Sequence, residues 1–63
     1  MVMKVKAVIK LIEADGWYLH STTGSNRQFK HPVKKGRVTV PGKLSGDLPP
    51  GLVASILKQA GLS

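Results

Sequence analysis

The stretch WYLHSTTGSNRQFKHPVKKGRVTV, residues 17–40, decides how this chain folds. Its first run, WYLHST, is rich in residues that suit a pleated surface, and TTGS, with Gly24 and Ser25, then marks a tight turn. NRQFKH reads as a second strand, ended by Pro32, which has no N–H to give a ladder. VKKG turns the chain again, and RVTV forms a third strand stopped by Pro41. Connections this short favour an antiparallel meander.

Period-two alternation sorts the faces of that sheet. Trp17, Leu19, Phe29, Val38 and Val40 are expected to point inward. Tyr18, His20, Asn26, Gln28, Lys30, Arg37 and Thr39 fall on the opposite, wetter face. Arg27 and His31 share the parity of Phe29, so their polar groups must escape at the strand ends or lie beside a helix.

Helical periodicity flanks the sheet. Val5, Val8, Ile9 and Ile12 form one apolar stripe, and Gly16 supplies a left-handed stop, which predicts a helix over 3–14. Residues 42–48, GKLSGDL, read as a loop. Pro49 and Pro50 suit a first helical turn, where a missing N–H costs nothing, and Leu52, Val53, Ile56, Leu57 and Ala60 share a face, predicting a helix over 49–60. The expected class is α+β: helix, three-stranded antiparallel sheet, helix, with both helices on one sheet face. Trp17, Leu19, Phe29, Val38, Val40, Ile56 and Leu57 are expected to be buried together.

Composition bounds what such a domain can do. With 63 residues, read as one domain over 1–63, the chain buries about 60% of its unfolded surface. That supports one small core and an open binding surface rather than a lidded pocket. The absence of cysteine excludes disulfides and thiolate metal sites and fits a cytoplasmic, reducing setting. No apolar run approaches the roughly 20 residues of a membrane span, and Glu13 and Asp15 stand where a signal-peptide cleavage site would fall, so the N-terminus reads as mature protein.

Charge narrows the partner. The net charge is +7, and no acidic residue occurs between Gly16 and Gly46, a window holding Arg27, Lys30, Lys34, Lys35, Arg37 and Lys43. Such an acid-free cationic surface selects a polyanion through counterion release and steering.

Catalytic constellations are sparse. His20 and His31 have no metal-ligand spacing, and Glu13, Asp15 and Asp47 form no two-metal set, so no metal is expected. None of the serines lies in a G-x-S-x-G elbow, and there is no Walker loop or G-x-G-x-x-G; no cofactor is expected. Metal-independent RNA cleavage asks for less: a proton carrier and cations for the phosphorane charge. His20 and His31 are available for it, with Tyr18 and Lys30 as weaker candidates, although a surface His20 and a turn-stabilising His31 explain those residues without chemistry.

The blocks LIEADGWYL, GSNRQFKHP, GRVTVPGK and DLPPGLVASILKQAGL, in that order, resemble the HicA-type toxins of toxin–antitoxin pairs. The resemblance runs from about residue 5 to the C-terminus. It implies a double-stranded-RNA-binding-domain-like fold, metal-independent endoribonuclease activity on mRNA, and capture by a HicB-type antitoxin. It also implies a Gly-Ser-His or Gly-Gly-His motif with a catalytic histidine, which aligns with Gly24, Ser25 and Asn26. Here asparagine takes that position, and its amide neither accepts nor releases a proton near neutral pH. Either an engineered exchange or a natural loss would produce that residue; the second leaves an RNA binder or an antitoxin decoy. On this reading Gly24 and Ser25 shape the site, Asn26 occupies the catalytic position, and Lys30, Lys34, Lys35 and Arg37 hold phosphates. A non-catalytic RNA-binding module and an antitoxin-binding protein on the same scaffold are the alternatives.

Overall fold

The computed structural model describes residues 2–62. Its elements run β1 (Met3–Lys4), α1 (Val5–Ala14), β2 (Tyr18–Thr23), β3 (Asn26–Lys30), β4 (Val38–Val40), β5 (Asp47–Leu48) and α2 (Pro50–Gln59). The sheet β2–β3–β4 is antiparallel throughout, pairing Leu19 with Phe29 and Phe29 with Val38. Both helices pack on one of its faces, giving the expected α+β class and the double-stranded-RNA-binding-domain-like arrangement.

The core assembles from the predicted stripes. Val5, Val8, Ile9 and Ile12 of α1 meet Trp17, Phe29, Val38 and Val40 from the sheet layer and Val53, Ile56 and Ala60 from the second helical segment. Burying an aliphatic or aromatic side chain stabilises by about 1.5–3 kcal/mol, so this single cluster supplies most of what a chain this short has to hold it folded. Both helices end in the same way. Gly16 (φ +108°) and Gly61 (φ +73°) follow the caps in the left-handed region. Trp17 N–H then bonds Ile12 O at 3.1 Å and Gly16 N–H bonds Glu13 O at 2.9 Å. Leu62 N–H to Leu57 O at 2.8 Å and Gly61 N–H to Lys58 O at 3.1 Å repeat the pattern after α2. These paired bonds are Schellman stops, which satisfy carbonyls a helix otherwise leaves orphaned.

Four expectations are corrected. The first helix begins at Val5 rather than residue 3, because Met3 and Lys4 extend to pair with Leu48 and Asp47. The same pairing makes Asp47–Leu48 a strand within the stretch expected to be loop; Val5 N–H bonds Gly46 O at 3.0 Å, satisfying a helix-start donor that has no partner within the helix. Leu19 has the inward parity predicted for it, opposite buried Phe29, yet is 51% exposed because it lies on edge strand β2, which the helices do not cover. Leu57 is only partly buried, packed at the margin of the core. The faces also shift locally at His20, the extra residue of a bulge between Leu19 and Ser21.

Candidate nucleic-acid interface

The uncovered sheet face begins at the β2–β3 turn. Thr23 pairs with Asn26, leaving Gly24 and Ser25 as a two-residue loop. Gly24 has φ +59° and, among the described residues, no non-glycine residue has positive φ, the pattern expected of a type II′ hairpin turn. Gly24 is therefore needed by the turn itself. Nothing lies within 4 Å of where its Cβ would sit, so its backbone is also open to a ligand. Asn26 follows, exposed, as the first residue of β3.

Alternation carries Asn26, Gln28 and Lys30 onto this open face. Lys30 pairs across to Tyr18, and Gln28 to Ser21 and Thr39. Arg37, exposed just before β4, donates from Nη1 to Gln28 Oε1 at 3.0 Å. Gln28 was legible as a wet-face residue but not as the group that places Arg37; the alternating N-x-Q-x-K pattern was its only trace. Across the four positions separating Asn26 from Lys30 the strand spans about 13 Å.

Behind the turn, Arg27 escapes the apolar face at the sheet's end, as its parity required. Its Nη1 donates to Gly42 O at 2.7 Å and to Ser25 O at 3.4 Å, bracing the turn against the β4–β5 connection.

The opposite end of the hairpin is a structural clasp. His31 Nδ1 accepts from Val33 N–H (3.0 Å) and Lys34 N–H (2.9 Å). Nε2 therefore carries the proton and donates to Asp15 O at 2.7 Å. The ring also meets Trp17 edge-on at a centroid distance of 5.2 Å. With both nitrogens engaged by backbone, His31 is a turn staple, not a group free to meet a phosphate. Lys34 is equally committed: its ammonium bridges the Asp15 carboxylate and donates to Ala60 O at 3.0 Å. Trp17 Nε1–H donates to that same carbonyl at 3.3 Å. The hydrogen bond from Lys34 holds the Asp15 carboxyl below its ordinary range, assisted by the charge of the Lys34 ammonium and partly opposed by desolvation.

The predicted site residues thus divide. Gly24, Ser25, Asn26, Lys30 and Arg37 lie along the turn and open face; Lys35 is exposed on the β3–β4 connection, and Lys34 is held in the clasp. Among the described residues no side-chain carboxylate stands on the open face: Asp15 is taken by Lys34, Asp47 by Lys4 at 3.4 Å, and Glu13 lies on α1. No enclosed cavity opens among the described residues, nor do three or more metal-ligating side chains cluster there. Among the same residues, no helix is long and apolar enough to cross a membrane. What remains is a flat, cationic, hydrogen-bonding face suited to an extended polyanion.

The comparison with curated proteins finds no match. The model of the family described as HicA toxin of bacterial toxin-antitoxin, in contrast, matches residues 5–62, nearly the whole chain. The fold, the cationic face and this match agree: the chain belongs to the HicA toxin family, the RNA-cleaving toxins of bacterial toxin–antitoxin pairs.

Proposed function

We propose that this chain is an mRNA interferase scaffold whose proton-transfer step is disabled by Asn26, and that a HicB-type antitoxin of acidic character captures it over the same face. One observation carries the reading: the Asn26 amide stands exposed just after the Gly24–Ser25 turn, on the face that bears Lys30 and the braced Arg37. Cleavage begins when the 2′-hydroxyl loses its proton and attacks phosphorus, and ends when the bond from phosphorus to the 5′-oxygen breaks and that oxygen takes up a proton. Lys30, Lys35 and Arg37 supply positive charge for the phosphate and for the pentacoordinate transition state. A histidine at position 26 would carry the proton; asparagine only donates or accepts a hydrogen bond. RNA is bound and held, and the bond is cut far more slowly than with histidine at that position.

The test pairs this chain with its Asn26→His variant on the same RNA. The variant is expected to cleave at least about 100-fold faster, the low end of what a placed acid–base group contributes. Its activity should persist in EDTA and vary with pH across the ordinary histidine range. Equal rates for the two chains, with His20→Ala abolishing both, would move the chemistry to the bulge and overturn the assignment.

A further inference from the structure

The chain has one tryptophan, one phenylalanine and one tyrosine. Trp17 and Phe29 are core residues, 2% and 1% exposed, whereas Tyr18 is 50% exposed. The contrast follows from the fold. Trp17 closes α1 as the residue after Gly16, and the next residue along the extended chain points to the other side. Tyr18 is thereby placed on the open face, directly across from Lys30. Gln28, with Arg37 bonded to it, and then Asn26 follow along β3 on that face.

An aromatic ring at the end of a cationic strand face meets the physical requirements for holding single-stranded RNA. Cations follow the phosphates, and a flat ring offers a π-surface to a base that has left its stack. We propose that Tyr18 is a nucleobase-stacking subsite, taking the base of a nucleotide that flanks the one at position 26. The subsite rests on the RNA-binding reading above and adds the ligand class to it. Its distance from Asn26, about 13 Å along the strand, separates the stacked base from the reacting phosphate, and Arg37 lies between to hold backbone. Stacking is tolerant of sequence, so Tyr18 contributes affinity and register rather than discrimination, with the larger purines favoured.

The test uses the chain as it stands, an oligoadenylate, and a chain of abasic ribose phosphates of equal length. Tyr18→Ala is expected to weaken oligoadenylate binding about 5- to 150-fold, the range for one lost base–aromatic stack. It should leave abasic binding and the salt slope unchanged, while Tyr18→Phe retains affinity. Arg37→Ala should do the reverse, weakening both probes and lowering the slope by about 0.7. Equal losses on both probes for Tyr18→Ala, no loss on either, or a loss confined to antitoxin binding would each overturn the stacking subsite while leaving RNA binding in place. Failure of the unaltered chain to bind either probe at low salt would overturn the RNA reading and the subsite together.

Discussion

Gly16→Ala puts the clasp under direct strain. Gly16 has φ +108°, a region L-residues avoid, at a cost on the order of 1–2 kcal/mol for a residue with a Cβ. A Cβ there would also lie 2.8 Å from His31 Nε2. The ring cannot simply swing away, because Nδ1 is held by two backbone N–H groups and Nε2 by Asp15 O. Displacing it forfeits at least the Nε2 bond, worth about 0.5–1.5 kcal/mol net. The substitution is therefore expected to cost about 1.5–3.5 kcal/mol, against a total of about 3–9 kcal/mol for a chain of 63 residues. Urea unfolding followed by Trp17 fluorescence, with far-UV circular dichroism as a second probe, measures it. In a His31→Ala background the obstruction is gone and only the backbone cost of about 1–2 kcal/mol should remain. A cost below about 0.5 kcal/mol, within the range of ordinary surface substitutions, would refute the reasoning. So would an identical cost in the two backgrounds.

Two further outcomes follow from how the cations are used. Lys34→Met should lower unfolding stability and leave the salt dependence of RNA binding unchanged, whereas Lys35→Ala should leave stability unchanged and reduce the slope by about 0.7; a reversed pattern in salt titrations and urea melts would show that the two lysines have been misassigned. Because the Asp15 carboxyl is held below its ordinary range, its contribution is fully present above the unfolded value of about 3.9 and is lost as pH falls through the lower folded value. Asp15→Asn should flatten that acid limb in urea melts taken across the pH range, and an acid limb of unchanged steepness would place the loss elsewhere.

The helices and the meander were legible because local pattern dictates them. The Val5–Val8–Ile9–Ile12 stripe, the Gly16 stop and the Gly24–Ser25 turn each act within a few residues. The β1–β5 pair was not legible: Met3 meets Leu48 across most of the chain, and two residues give no periodicity to read. Leu19 shows a different limit, since alternation assigns a face but does not say whether anything covers it at an edge strand. In the site, parity correctly placed Asn26, Lys30 and Arg37 and required Arg27 and His31 to find polar exits. Lys34 was indistinguishable from Lys35 in the sequence, because the carboxylate that claims it arrives from the far end of α1. Charge counting cannot separate a cation offered to solvent from one consumed by the fold.

The hairpin β2–β3 keeps the clasp and position 26 at opposite ends, with the clasp beside the Tyr18–Lys30 pair and Asn26 at the turn. Drift at position 26 is therefore nearly invisible to folding: its side chain faces solvent, the turn depends on Gly24, and the brace behind it belongs to Arg27. If position 26 carries the proton as proposed above, a single exchange there would remove or restore cleavage without passing through a misfolded intermediate. On that proposal, selection on cleavage and selection on foldability would act on separate residues.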